Sequence, residues 1–216
     1  MHSNWHTEIQ EYSVNMSSPE DSFLQAIHEF TWKKMINPRM LSEHLQGLLL
    51  SQLVAIHQPK SVLEIGTFTG YATACLLKNL PRNGSLFSIE ADSETLFKTR
   101  NFWKTHNKEH LVNWIEGDAA QKLQDWQPKS LDFIFVDADK TNYLTYLNLC
   151  IPLLSTNGLL LFDNTLWSNR VINLNDRQLD RDTKNMHEFN MHVQQLSEFE
   201  TVLLPIRDGL TLMRKR

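Results

Sequence analysis

The stretch SVLEIGTFTGYATACLLKNL, residues 61–80, decides the fold. Its first five residues are a short run of mostly apolar side chains, which reads as a buried strand. The strand runs straight into Gly66-Thr67-Phe68-Thr69-Gly70, and the chain from Tyr71 onward suits a helix. A strand that enters a glycine-bearing turn and leaves as a helix opens a parallel α/β sheet, where ligands bind beyond the carboxyl ends of the strands.

The same rhythm continues outward. LFSIE at 86–90, LVNWIE at 111–116, LDFIFVD at 131–137 and GLLLFD at 158–163 read as further strands, with connections such as 71–80 and 142–154 long enough for right-handed helical crossovers. FETVLLP at 199–205, Arg207-Asp208-Gly209 and LTLMRK read as a β-hairpin that adds an antiparallel edge. The expectation is a doubly wound, Rossmann-like α/β fold with a mainly parallel seven-stranded sheet, a C-terminal antiparallel hairpin and extra N-terminal helices. One domain spans 1–216, with helices in 1–58 and the α/β core in 59–216. Ser17, Ser18 and Pro19, followed by Glu20 and Asp21, predict a helix start, with Phe23, Ala26, Ile27 and Phe30 at helical spacing. Ser42 is expected to cap a second helix whose apolar face is Leu45, Leu48, Leu49, Leu53 and Ile56, ending before Pro59.

Composition narrows the class. The chain has 216 residues, 41% hydrophobic and 21% charged, which suits one globular domain. No stretch approaches a membrane-spanning length, and the start, with Asn4, His6, Glu8 and Glu11, lacks the pattern of a signal peptide, so a soluble cytoplasmic protein is expected. A formal charge of −4 without a basic stripe argues against nucleic acid. Cys75 and Cys150 sit in apolar runs and read as buried free thiols. The nine histidines show no metal-ligand spacing. Trp5, Trp32 and Met35 suggest a self-association surface.

Gly66 and Gly70 let the backbone pass close to a bound molecule. Their G-x-x-x-G spacing is not the three-glycine turn that fits a pyrophosphate, so a cofactor without a diphosphate suits it better. Glu90 ends the second strand, where an acidic side chain can accept from both hydroxyls of a ribose. Either feature alone is commonplace, and the pair points to an adenosine-type ligand.

Two later strands end in carboxylates, at Asp137 and Asp163. Asp137, Asp163 and the amide oxygen of Asn164 offer hard oxygen ligands for Mg2+, or for Mn2+ or Ca2+, although such residues equally cap turns. Lys140 beside a cation is expected to lose its proton readily and to serve as a base. A metal on two vicinal oxygens would acidify a hydroxyl and align it with an electrophilic methyl group.

Together MLSEHLQGLLL from Met40, LEIGTFTGY from Leu63, FVDADKTNY from Phe135, DNTLW from Asp163 and RDGLTL from Arg207 resemble the cation-dependent O-methyltransferases, the family of caffeoyl-CoA and, more distantly, catechol O-methyltransferase. The likeness spans roughly 36–216. It implies that Met40, Ser42, Glu64, Gly66, Thr67, Gly70, Tyr71, Ala72, Glu90, Ala119 and Asp139 surround S-adenosylmethionine, with Glu90 on the ribose and Ala119 near the adenine, beside a turn shaped by Gly117 and Asp118. It further implies a metal on Asp137, Asp163 and Asn164, catalytic Lys140 and Asp137, a catechol-like small-molecule acceptor that includes CoA esters, and a homodimer. Ala72 departs from the family's usual Ser, with Thr73 as the substitute hydrogen-bonding group. Ser168 departs from the Asn of the plant enzymes. Trp167 and Ser168 are the candidate acceptor contacts, Trp167 being equally a core residue, and the polar loop 168–182 is a candidate lid. The rival readings are a nicotinamide-type oxidoreductase and a non-catalytic cofactor-binding module.

Overall fold

The computed structural model describes residues 3–127, 130–172 and 180–216. Three N-terminal helices, α1 (Ser3–Asn15), α2 (Ser22–Lys34) and α3 (His44–His57), precede the sheet. Then follow β1 (Ser61–Ile65), α4 (Tyr71–Lys78), β2 (Ser85–Glu90), α5 (Ser93–Thr105), β3 (Asn113–Glu116), α6 (Ala119–Gln124) and β4 (Leu131–Val136). The chain ends with α7 (Tyr143–Cys150), β5 (Leu154–Asp163), α8 (Arg181–Gln194), β6 (Phe199–Leu204) and β7 (Leu210–Lys215). The seven strands form one sheet in the order β3-β2-β1-β4-β5-β7-β6, parallel from β3 to β5 and antiparallel from β5 through β7 to β6. The expected doubly wound sheet with a C-terminal hairpin is the one observed.

Side-chain alternation divides the core between the two faces of the sheet. Leu63, Ile65, Ile134, Val136, Leu160 and Phe162 pack with Leu147 and Phe189 on one face. Val62, Phe133, Phe135, Leu159 and Leu161 pack with Ile27, Leu50, Leu76 and Trp103 on the other. Cys75 and Cys150 are buried free thiols, as expected. β1 and β4 lie side by side at the centre, so the crossover order reverses between them, and their carboxyl ends form the crevice where a doubly wound sheet binds its ligand.

Several boundaries and faces differ from expectation. Helix α1 carried no clear apolar stripe and escaped the sequence reading. Asp21, not the 17–19 stretch, caps α2, accepting from the Phe23 and Leu24 amides at 3.1 and 3.0 Å. Ser42 is not a cap: Glu43 precedes α3 without a side-chain cap bond, and Ser42 is buried in a cavity wall. The buried side of α3 is Gln46, Gly47, Leu50, Ser51 and Val54, whereas Ile56 is 79% exposed. The small residues are inward because α3 lies close on α4: a Cβ on Gly47 would sit 2.6 Å from Cys75 Sγ. β3 starts two residues late because Glu109–Leu111 forms a 3-10 turn, held by Trp114 Nε1 donating to the Glu109 carbonyl at 2.8 Å. The supposed lid 168–182 contains a 3-10 turn at Arg170–Ile172 and the start of α8, while 173–179 lie outside the described residues. The Trp5 side chain is likewise outside them.

The inward face of α3 gives a direct test. Leu50→Ala deletes a fully buried side chain and is expected to cost about 2–5 kcal/mol, whereas Gln52→Ala on the exposed side should stay within ~0.5 kcal/mol of the parent. Urea melts of the two variants check the orientation of the helix.

Candidate active site

A cavity of about 740 Å³ opens at the carboxyl ends of β1, β2, β4 and β5. Met40, Ser42, Gly66, Thr67, Tyr71, Ala72, Glu90, Ala119, Asp137, Asp139, Lys140, Asn164 and Trp167 line it. Glu64, Gly70, Asp163 and Ser168 do not, and each has a different place. Ile36, Asn37, Arg207 and Asp208 also line the cavity and were not assigned from sequence. For the last two the signal was available, because a strained turn after a strand ends at the same sheet edge as the other site loops.

Gly66 fixes the floor. Its φ is +97°, and an added Cβ would lie 2.0 Å from the Asp137 carbonyl oxygen. Only glycine permits that approach of the β1 and β4 ends. Gly70 answers another constraint, packing against the Trp103 indole, whose Nε1 donates to the Thr69 carbonyl at 3.3 Å. The Thr31 and Thr69 hydroxyls, 2.8 Å apart and buried, tie α2 to the same loop. Glu90 accepts from the Phe68 and Asp92 amides at 2.8 and 3.0 Å, which holds its carboxylate at the cavity wall. Asp118 caps α6 through the Gln121 amide at 2.9 Å and sets the turn that presents Ala119.

Glu64 shares with Val62 one face of β1 and points into the core beneath the loop. Thr73 and Ser88 donate to its Oε2 at 2.5 Å each, and Ser88 is 2.6 Å from Thr67. Thr73 is thus occupied under the loop and does not replace the missing serine at the cavity wall. Burial pushes the Glu64 carboxyl up to about 8, against the two hydroxyl donors.

At the β4 and β5 ends Lys140 Nζ donates to Asp137 Oδ1 and to the Tyr143 hydroxyl, both at 2.8 Å. Tyr143 in turn donates to the Asp163 carbonyl at 2.9 Å. Burial opposes the charge on Lys140, but Tyr143, Asp137 and Asp163 outweigh it and hold the ammonium above its ordinary range. The expectation of a lysine driven toward the neutral amine concerns Lys140 beside a bound cation. Asp163 is buried just below the cavity surface. Burial and then the Asp137 charge push its carboxyl up to about 7, with Lys140 acting the other way. Its Oδ1 accepts from the Asn164 amide at 2.7 Å, and its Oδ2 is buried without a well-formed hydrogen bond among the described residues, although the buried Gln46 amide is near enough to lower the carboxyl. Asp139 is held by Tyr146 at 2.5 Å and Asn142 at 2.6 Å. Trp167 both lines the cavity and packs on the core, so its two readings coincide. Ser168 turns away and donates its amide to the Asp208 carboxylate. Among the described residues no three His, Cys, Asp or Glu side chains gather as metal ligands.

Glu64 ionises near 4.5 in an unfolded chain and near 8 in the fold, so the folded state binds the extra proton and stability falls as pH rises across that window. Glu64→Gln should flatten that fall in urea melts between about pH 5 and pH 8. A variant with the parent slope would mean that Glu64 is ionised in the fold.

Residues 11–216 match the profile of the family described as O-methyltransferase, further toward the N-terminus than the motifs alone reach. The chain is 34% identical to tapetum-specific methyltransferase 1 of Arabidopsis thaliana over 79% of this chain and 76% of that protein. It is 32% identical to caffeoyl-CoA O-methyltransferase 1 of Nicotiana tabacum over 96% of this chain and 89% of that one. The fold superposes on the SAH-bound methyltransferase PaMTH1 of Podospora anserina with a TM-score of 0.90 at 24% identity, covering 100% of this chain and 97% of that one. With the sheet order, the cavity and these likenesses together, the oxidoreductase and non-catalytic readings fall away: the chain belongs to the O-methyltransferase family and is an S-adenosylmethionine-dependent enzyme of that family.

Proposed function

We propose that the enzyme methylates one hydroxyl of a vicinal dihydroxy aromatic acceptor, CoA esters included, with a divalent cation held by Asp137, Asp163 and Asn164. One observation carries the cation: the Asp163 Oδ2 oxygen is buried without a well-formed hydrogen bond among the described residues and its carboxyl is raised in part by Asp137. Two carboxylates at one strand edge with an unsatisfied oxygen, beside an amide, form a hard-oxygen donor set that suits Mg2+, Mn2+ or Ca2+. Bound there, a cation would lower the pKa of an acceptor hydroxyl and orient it.

The chain's own residues do the rest. Met40, Ser42, Gly66, Thr67, Tyr71, Ala72, Ala119 and Asp139 enclose S-adenosylmethionine, and Glu90 accepts from its ribose. Gly70 supports the loop from behind, and Glu64 does so from within the core. Lys140 Nζ acts as the base that takes the acceptor hydroxyl's proton, and the resulting ammonium is held by Asp137. The oxygen–methyl bond forms as the sulfur–methyl bond breaks, so the protein mainly aligns the two centres. Trp167 offers an aromatic wall for the acceptor ring, and the Ser168 backbone fixes the loop that carries it.

We further propose one domain over 1–216 that works as a homodimer in the cytoplasm. The outward apolar side of α3 and the 55% exposed Trp32 support association, and among the described residues no helix is long and apolar enough to cross a membrane. Sedimentation at twice the chain mass is expected, and a monomer at micromolar concentration would overturn the dimer.

The reaction is tested by product mass analysis with S-adenosylmethionine and a panel of catechols, hydroxycinnamates and their CoA esters, in Mg2+ or in EDTA. The expected result is gain of one methyl on a vicinal diol in Mg2+ only. Transfer in EDTA would refute the cation. Asp163→Ala and Asp137→Ala should abolish turnover and leave S-adenosylmethionine binding largely intact.

A further inference from the structure

The Arg207-Asp208-Gly209 turn between β6 and β7 takes no part in the chemistry above, yet its contacts reach both walls of the cavity. On one side the Arg207 guanidinium donates to the Leu41 carbonyl at 2.9 Å and the Arg39 carbonyl at 3.4 Å, and lies 3.4 Å from Glu43 Oε1. These partners belong to the segment 38–43, which presents Met40 and Ser42 to the cavity. On the other side the Thr165 amide donates to the Gly209 carbonyl at 3.0 Å and the Leu166 amide to the Asp208 carbonyl at 2.8 Å. The Ser168 amide donates to the Asp208 carboxylate. The loop after β5 and the segment before α3 are therefore joined through one turn.

Arg207 is an unusual residue for that place. Its φ is +53°, a region that a long side chain rarely adopts and that glycine adopts freely. Its side chain is only 18% exposed and stands in the wall between the main cavity and an adjoining one of about 750 Å³ that Arg39, Leu41 and Ser42 also line. A strained arginine with three partners on one segment acts as a fastening.

We propose that Arg207 is a positioning residue that straps the segment 38–43 to the β6–β7 turn and so holds Met40 and Ser42 against the cofactor. The inference rests on the reading of this cavity as the S-adenosylmethionine site.

Arg207→Gly relaxes the backbone while removing the strap, which separates positioning from folding. The Met40, Leu41 and Gly47 amides, bonded to the Asn37, Pro38 and Glu43 carbonyls, report the segment directly by hydrogen exchange. In the glycine variant they should exchange about tenfold faster, and calorimetry should find S-adenosylmethionine bound about tenfold more weakly, with Tm no lower than the parent's. Arg207→Lys, which lacks the planar fork, should fall between the two. Unchanged exchange, or faster exchange with unchanged affinity, would refute the strap. So would a lowered Tm with uniformly faster exchange, because Arg207 would then be a general stabiliser. A parent protein that fails to bind S-adenosylmethionine would overturn the cofactor reading instead, and the exchange comparison would still decide the strap.

Discussion

The site depends on the contact between Gly66 and the Asp137 carbonyl. Two parallel strands at a switch point diverge at their ends, and here the turn after β1 folds back until its α-carbon touches the end of β4. With a Cβ at Gly66 only 2.0 Å from that carbonyl, any side chain would force the cofactor loop and the carboxylate edge apart. The Asp137 amide donates to the Ile65 carbonyl at 2.8 Å and the Gly66 amide to the Ile89 carbonyl at 3.0 Å, so the approach is also hydrogen-bonded from both flanks. This contact therefore sets how closely the turn after β1 and the carboxylate edge of β4 approach each other.

Around that contact the ionisable groups are sorted by burial and by partner. Glu64, enclosed by Thr73 and Ser88, is held near neutral and serves as a hydroxyl-bonded prop under the loop. Glu90, at the cavity wall, is fixed by two amides and keeps its lone pairs for a ligand. Asp137 is paired with Lys140, while Asp163 is raised and incompletely bonded. The four carboxylates near one strand edge thus differ in burial and in hydrogen-bond partners.

Much of this was legible in the residues. The alternation of short apolar runs with helical segments carried the sheet, and the hairpin followed from the turn residues at 207–209. What the sequence withheld lies where small or polar side chains are buried. The inward face of α3 contains Gln46, Gly47 and Ser51, so hydrophobic periodicity selected the opposite side. Glu64 was a cofactor contact only by the family resemblance, and its place on the doubly buried strand β1 puts it in the core. Thr73 was mistaken for a cavity residue because its bond to Glu64 joins positions nine apart on different elements. Lys140 was read as a base from the charge of a neighbouring cation, and its bond to Asp137 at 2.8 Å is a contact that the three-residue spacing alone did not show.

The two halves of the cavity are built by different means. The cofactor half follows from strand ends and one glycine turn, with the segment 38–43 fastened to it from outside the sheet. The acceptor half leaves the sheet at Asn164, and Asn164, Trp167, Ser168 and Asn169 all have positive φ. Each such residue costs roughly 1–2 kcal/mol when it is not glycine, less for asparagine. The loop cannot hold that shape by its own preferences, so the bonds it makes to the Asp208 and Gly209 carbonyls and to the Asp208 side chain are what keep it. A wall maintained by one turn can change with that turn while the sheet beneath it stays fixed.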